Sequence, residues 1–189
     1  VQAGWTVRRA AATAHTLRLQ AASDVETLLD ASVRGVLELA QCERGFALLG
    51  EPGRLQVRAC VDLDPAALGS TGFRGSVGAV ERALRARASV VSNDVGSDAW
   101  LASRQSVLAA GLSTLVCLPL LDGDEAIGAL YADRVRPGPP VTALDLELLE
   151  AFAERAALWV AARRATELLR GAGAGGMDWN GLAAAGHRA

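Results

Sequence analysis

Three groups of polar side chains in this sequence have residue types that could support catalysis or binding. Asp94 and Asp98 lie in the segment SNDVGSDAW, and paired carboxylates can serve acid–base catalysis or bind a cation. Cys117, within STLVCLPL, could be a redox thiol, and Asp133 and Arg134 end the apolar run LYADR. Each group also has a structural interpretation, because Asp residues cap turns, a buried Cys acts as a small apolar residue, and charged pairs hold junctions.

Arg134 is followed by a turn rich in Pro and Gly, and a helix is predicted to begin at Thr142. Asp145 would then lie in the first helical turn, where the helix dipole favours a carboxylate. We interpret Arg134 and Asp145 as an ion-paired latch that joins the last strand to the last helix, rather than as a catalytic pair.

Two middle helices supply the candidate contacts to an anionic ligand. Ser76 and Val77 open the first of them, where free backbone amides could accept a phosphate or carboxylate, although a simple helix cap explains Ser76 equally well. Ser103, Arg104 and Val107 would lie on the second, after SNDVGSDAW. Arg104 is the preferred anion contact, and its alternative is a solvated side chain.

Composition limits the classes of function. The chain has 189 residues, 51% hydrophobic, and a net charge of −2, which is typical of a globular domain and disfavours direct contact with nucleic acid. No apolar run approaches the roughly 20 residues of a membrane span. Cys42, Cys60 and Cys117 form no CxxC pair, so we expect a reducing cytoplasm and neither a disulfide framework nor a zinc site.

Apolar periodicity predicts the order helix, hairpin, loop, helix, strand, helix, hairpin and long helix, which is an α+β domain with an antiparallel sheet. A capping box is expected at Ser23-Asp24-Val25-Glu26. We divide the chain into an N-terminal linker or signalling helix (1–22), the domain itself with its long last helix (23–170) and a linker rich in Gly and Ala (171–189).

The long last helix has two apolar faces. Leu149, Phe152, Ala156 and Val160 form a face suited to pack on the rest of the domain. The other face follows a 4-3 spacing typical of a helix that meets a partner helix. Its leucines, which we assign to a homodimer interface, are Leu144, Leu148, Leu158 and Leu169.

The segment from VGAVERALRARASVV to IGALYADR, together with CERGF before the first strand, resembles a GAF domain. The resemblance covers residues 24 to 165. It implies a six-stranded antiparallel sheet, terminal helices packed on one face, and a ligand pocket on the other face beneath the middle helices. Asp94, Asp98, Cys117 and Tyr131 would then belong with the middle-helix residues to the pocket.

The resemblance also implies a function. GAF domains are regulatory modules, so we expect no catalysis, but sensing of a cyclic nucleotide or other small metabolite, with a kinase, cyclase or AAA+ activator attached as output domain in a bacterial protein. The spaced motif of cyclic-nucleotide members is degenerate here. A ligand-free dimerisation scaffold is the alternative, and a Cys-dependent reductase is less well supported because the predicted pocket loops contain no Cys. His15 and His187 lie outside the predicted core, so we expect no haem. A bilin would need a reactive Cys in the surroundings typical of the family, and none is recognised, so we expect no bilin either.

Overall fold

The computed structural model describes residues 2–51, 54–64, 74–95 and 111–173. Its four helices and five strands follow the predicted α+β order, and the second middle helix predicted before the last hairpin lies outside the described residues. The described elements are α1 (Gln2–Ala21), α2 (Val25–Ala40), β1 (Arg44–Leu49), β2 (Gln56–Val61), α3 (Arg74–Ala86), β3 (Val90–Ser92), β4 (Thr114–Asp122), β5 (Glu125–Arg134) and α4 (Ala143–Gly173).

The sheet is antiparallel, with the order β2-β1-β5-β4-β3. The two predicted hairpins are confirmed as β1–β2 and β4–β5, and Gly123 adopts the left-handed backbone conformation (φ 59°) that the tight β4–β5 turn requires. The sheet has five strands in the part of the chain that the structure describes, so the expected count of six is not confirmed.

The sheet separates two apolar clusters. One cluster lies between the sheet and the pair α2 and α4, and we call that face the α2/α4 side. The second cluster lies beneath α3, on the face that we call the α3 side. Side chains along β5 alternate between the two faces of the sheet, so this strand contributes to both clusters. Leu130 and Ala132 face the first cluster, while Ala129 and Tyr131 face the second.

Helix α1 packs against α2 and α4 and runs parallel to α4, since Arg8 contacts Asp145 and Ala22 contacts Arg163. The prediction that His15 lies outside the core is wrong. The imidazole is 2% exposed, because it points from α1 toward α2 and contacts the edge of the Phe152 ring.

The capping of α2 also differs from the prediction. Asp24, not Ser23, is the N-cap, and its carboxylate accepts from the Thr27 backbone amide at 2.8 Å. The Ser23 hydroxyl donates to that carboxylate, and Glu26 pairs with Arg58 instead of closing a capping box. A carboxylate with two acceptor oxygens can serve the helix amide and neighbouring hydroxyls together, which explains the one-residue shift.

Candidate functional site

The α3 side of the sheet is an apolar surface built from small and aromatic side chains. Ala79 and Ala83 of α3 are completely buried against it, and small residues at these positions allow the helix to approach the strands closely. The buried members of the cluster are Phe46, Ala79, Val80, Ala83, Val95, Leu112, Leu115, Cys117, Ala129 and Tyr131. An apolar interior of this kind strengthens any electrostatic interaction at its margin.

Phe46 and Tyr131 form the aromatic centre of this surface. They are cross-strand partners in β1 and β5, and their rings stack with centroids 4.7 Å apart and an interplanar angle of 19°. Paired aromatic rings on adjacent strands stabilise a sheet and leave their polar atoms at the ends of the rings. The Tyr131 hydroxyl therefore points along the strand toward the end of β5.

Tyr131, Asp133 and Arg44 form a charged cluster at that end of the α3 side. The Tyr131 hydroxyl donates to Asp133 Oδ2 at 2.7 Å. Arg44 donates from Nε to Oδ1 at 2.5 Å and from Nη2 to Oδ2 at 3.4 Å. Asp133 is completely buried, and that burial raises the pKa of its carboxyl despite the opposing hydrogen bonds from Arg44 and Tyr131.

Arg134 lies on the α2/α4 side of the sheet, because neighbouring residues of a strand alternate between faces. Its guanidinium donates to the carbonyl oxygens of Gln41 at 3.2 Å and of Pro139 at 2.5 Å. A Cβ added at Gly138 would lie 2.9 Å from the Arg134 guanidinium, so glycine lets the turn approach this side chain closely. Arg134 thus joins the end of α2 and the segment before α4 to the end of the sheet.

The predicted ion pair between Arg134 and Asp145 is wrong. Asp145 accepts instead from Arg8 of α1, and its other oxygen accepts from the backbone amide and the hydroxyl of Thr142. Asp145 and Arg134 do hold the same junction, but through separate contacts. Burial opposes ionisation of Asp145, yet the hydrogen bonds from Arg8 and Thr142 outweigh it and lower the carboxyl's pKa.

The loop after β3 is joined to the same junction by an amide side chain. Asn93 accepts from the Val141 amide at 2.7 Å and donates to the Val141 carbonyl at 2.9 Å. Asp94 follows it and is exposed. Asn93 therefore fixes the start of SNDVGSDAW next to the residues that precede α4.

The remaining predicted ligand contacts fall into three groups. Cys117 and Tyr131 are buried in the cluster on the α3 side, as neighbours in the β4–β5 pairing. Val77 lies on α3 and is half exposed, whereas the Ser76 side chain is outside the described part of the chain. Three residues assigned to the second middle helix, Ser103, Arg104 and Val107, and the loop residue Asp98 are also outside the described residues.

Burial disfavours the reactive thiolate form of two cysteines, Cys42 and Cys117. Burial raises the pKa of Cys117 to about 12, and burial raises that of Cys42 to about 12 as well. Because the thiolate is the nucleophile, a thiol with such a pKa is almost entirely protonated near neutral pH. The Cys117 side chain therefore behaves as a small apolar residue of the cluster.

The two faces of α4 have opposite environments, as the sequence pattern predicted. Leu149, Phe152, Ala156 and Val160 are buried at 1% exposure or less. On the 4-3 face, Leu148 is half buried, while Leu144, Leu158 and Leu169 are 44%, 67% and 75% exposed. An apolar stripe that the domain itself leaves open is suited to a partner helix.

Arg44 is the site residue that sequence analysis missed. It was noted only as part of CERGF, before the first strand. In β1, however, Arg44 alternates with Phe46 and Leu48 on the α3 side, so a charged residue occupies an inward-facing strand position. That pattern was visible in the sequence and is a signal of a buried partner.

Within the described ranges, no group of three or more His, Cys, Asp or Glu residues is placed to hold a metal ion. Among the helices described, none combines the length and apolar character needed to cross a membrane.

Comparisons with known proteins agree with this architecture. The sequence model of the GAF domain matches residues 24–159. A GAF domain/HD domain protein from Geobacter sulfurreducens is 20% identical with a TM-score of 0.59, covering 78% of this chain and 98% of that chain. A methyl-accepting chemotaxis protein is 21% identical with a TM-score of 0.60, over 80% and 98% of the two chains.

A third similar structure is an enzyme. The free methionine-R-sulfoxide reductase from Neisseria meningitidis, solved with its substrate, has 15% identity and a TM-score of 0.65 over 86% of this chain and 93% of that chain. At such identities the likeness concerns the fold. No curated protein matched the sequence. Because the family match spans most of the chain and the solved structures share its architecture, this chain belongs to the GAF domain family.

Proposed function

We propose that this GAF domain is a non-catalytic regulatory module that binds a small molecule on the α3 side of its sheet. The observation that carries the proposal is that consecutive residues at the end of β5 make contacts on opposite faces of the sheet. Asp133 there belongs to the α3 side, and the next residue, Arg134, holds the α2/α4 side. A ligand that displaces one face of this strand end therefore acts on residues directly bonded to the helix layer.

The route onward to the helices is short. Arg134 contacts the carbonyl of Pro139, three residues before Thr142, whose hydroxyl and amide bind Asp145 at the start of α4. Asp145 in turn holds Arg8 of α1. A ligand shifts such an arrangement only by binding one of its conformations more tightly than the other.

Chemistry at Cys117 is disfavoured by its complete burial and by the raised pKa of its thiol. The regulatory role would be exerted on a covalently attached output domain, such as a kinase, a cyclase or an AAA+ activator of transcription, in the bacterial cytoplasm. The fold that this chain shares with a methyl-accepting chemotaxis protein and with a GAF domain/HD domain protein supports a signalling setting.

The test is a thermal-shift screen of metabolites and cyclic nucleotides with the 189-residue chain. A ligand at 100 times its Kd stabilises a two-state protein by about 2.7 kcal/mol, which is readily measured as a higher melting temperature. Hydrogen exchange with and without a hit should then change at α1 and α4. If no compound raises the melting temperature, or if hits leave both helices unchanged, the sensing role is rejected.

A second candidate function, a ligand-free dimerisation scaffold, is favoured by the open 4-3 face of α4. Leu158→Glu places a charge on that face. Leu168→Glu is the control, because Leu168 lies off the 4-3 face and is similarly exposed (74%, against 67% for Leu158). If the domain is a scaffold, light scattering should show a dimer at micromolar concentration. Leu158→Glu should dissociate this dimer, and Leu168→Glu should preserve it. A monomeric wild-type chain would exclude the scaffold.

A further inference from the structure

The charged cluster of Arg44, Asp133 and Tyr131 is more polar than the joining of two strands requires. Removing a carboxylate from water costs several kcal/mol, and apolar residues of similar volume commonly hold two strands as well as a buried ion pair does. Asp133 is nevertheless completely buried at a position that faces the apolar cluster of the α3 side. The cluster therefore has a property that cohesion of the sheet does not account for.

The cluster fixes the orientation of the Arg44 guanidinium. Two of its three nitrogens donate to Asp133, and Asp133 is itself held by the Tyr131 hydroxyl. Among the contacts of the described residues, none engages the third nitrogen, Nη1. The Arg44 side chain is 27% exposed, whereas Asp133 is 0% exposed. Arg44 is thus a partly exposed cation whose geometry is fixed by a buried acid and whose Nη1 edge has no partner among the residues that the structure describes.

The surroundings of Arg44 restrict what could bind to that open edge. On the α3 side, Arg44 is followed by Phe46, whose ring stacks on Tyr131, and Leu115 lies opposite Asp133 in the strand pairing. A guanidinium donates well-oriented, charge-assisted hydrogen bonds to carboxylates and phosphates, and an apolar environment strengthens them. A ligand with an acidic group on an apolar body would match both features.

A surface groove elsewhere in the domain does not combine an oriented guanidinium with an apolar surface. It has a volume of about 1060 Å³ and carries charges of both signs. Its residues are Leu55, Glu81, Leu84, Arg85, Arg87, Asp122, Asp124, Glu125 and Ala126. Glu125 begins β5, so at about 3.3 Å per residue the groove lies some 26 Å along the strand from Asp133.

We propose that Arg44 is the anion-binding residue of the ligand pocket, with Asp133 and Tyr131 as its positioning residues. The ligand is then a small molecule with a carboxylate or phosphate attached to an apolar or aromatic body. This inference rests on the proposed sensing function and deepens it by naming the chemical class of the ligand.

The experiment uses matched acid and neutral probes with the whole chain. The pairs are benzoate with benzamide, butyrate with butyramide, and phenyl phosphate with phenol. Binding is followed by NMR chemical-shift titration at constant ionic strength. We expect the wild-type protein to bind at least one acid about tenfold or more tightly than its neutral partner, and its shifts to map to β1 and β5.

The decisive variant is Arg44→Met combined with Asp133→Leu, because replacing both charges by apolar residues avoids leaving a buried carboxylate unpaired. It should fold, bind the neutral probe as the wild type does, and lose the tenfold preference for the acid. Tyr131→Phe should weaken the preference only partly. Arg104→Gln is the matched comparison, since sequence analysis assigned the same role to Arg104.

The outcomes separate the two proposals. Loss of the preference in the double variant, with Arg104→Gln unchanged, supports the role of Arg44. Retention of the preference in the double variant, or its loss only in Arg104→Gln, overturns that role and leaves sensing intact. A wild-type protein that binds none of the six probes overturns this inference, while a hit in the metabolite screen would still preserve sensing.

Discussion

Asp133 and Arg134 are consecutive residues whose side chains serve opposite faces of the sheet: Asp133 binds Arg44 and Tyr131, and Arg134 binds the carbonyls of Gln41 and Pro139. The strand end is therefore bonded on both sides. One short segment therefore contacts both the α3 side of the sheet and the helix layer on the opposite face.

Arg134→Met should destabilise the domain by about 2–4 kcal/mol, because two charge-assisted hydrogen bonds are lost and carbonyl oxygens are left without donors. Urea denaturation followed by circular dichroism measures the change. Arg136→Met is the control, since its side chain is 82% exposed and pairs with Glu43. We expect little change there, and equal losses in the two variants would refute the special role of Arg134.

The pair Arg8–Asp145 should contribute to the docking of α1. The carboxylate is 6% exposed and the guanidinium 32%, so solvent screening leaves a coupling energy of about 1 kcal/mol in a double-mutant cycle with alanine. Hydrogen exchange in α1 should also become faster in Arg8→Ala. A coupling energy indistinguishable from zero would show that α1 is held by its apolar contacts alone.

Asp145 and Asp133 should give stability effects with opposite pH dependence. The lowered pKa of Asp145 means that its stabilising contribution is present above the unfolded-state pKa of about 4 and is lost as the pH falls through the folded-state value. The raised pKa of Asp133 means that its contribution is present below about pH 4 and is lost as the pH rises through the folded-state value.

The opposite pH dependence is tested by denaturant titrations of Asp145→Asn and Asp133→Asn, each compared with wild type. The titrations run between pH 3 and 7, a range that spans the ordinary carboxyl pKa of about 4. The stability difference for Asp145→Asn should shrink toward low pH, and the difference for Asp133→Asn should shrink toward high pH. Parallel trends in the two variants would contradict the assignment.

Cys117 should be unreactive in the folded protein. Its burial and its pKa of about 12 predict that a brief pulse of iodoacetamide at mildly alkaline pH labels partly exposed Cys60 first and Cys117 only after denaturation. Mass spectrometry of the peptides measures both sites. Rapid labelling of Cys117 under native conditions would reopen the case for thiol chemistry.

Gly35→Ala should destabilise the domain although alanine favours helices. A Cβ at this position of α2 would collide with the Phe152 ring of α4, and overpacking of a core costs about 1–3 kcal/mol. Gly4→Ala in α1 is the matched control, because beyond the adjoining backbone of its own helix nothing lies within 4 Å of the added Cβ. The higher helix propensity of alanine should stabilise this variant by up to about 1 kcal/mol. Thermal unfolding of the two variants should therefore shift in opposite directions.

The sequence by itself predicted most of the elements that the structure describes, and it predicted the buried face of α4. The repeat of Leu149, Phe152, Ala156 and Val160 placed one face of α4 in the core, because apolar spacing in a helix follows its 3.6-residue period. The two apolar segments on either side of the Asp-Gly-Asp turn likewise predicted the second hairpin. These properties are local, so a single segment contains the information that specifies them.

Only the tertiary structure decided which charged residues meet. Arg134 and Asp145 are 11 positions apart, yet Asp145 pairs with Arg8, which is 137 positions away and is brought near by the packing of α1 on α4. Asp133 likewise meets Arg44 because β1 pairs with β5 across 89 positions. An ion pair depends on a few ångströms of distance, and that distance is set by strand register and helix packing, which local sequence spacing does not specify.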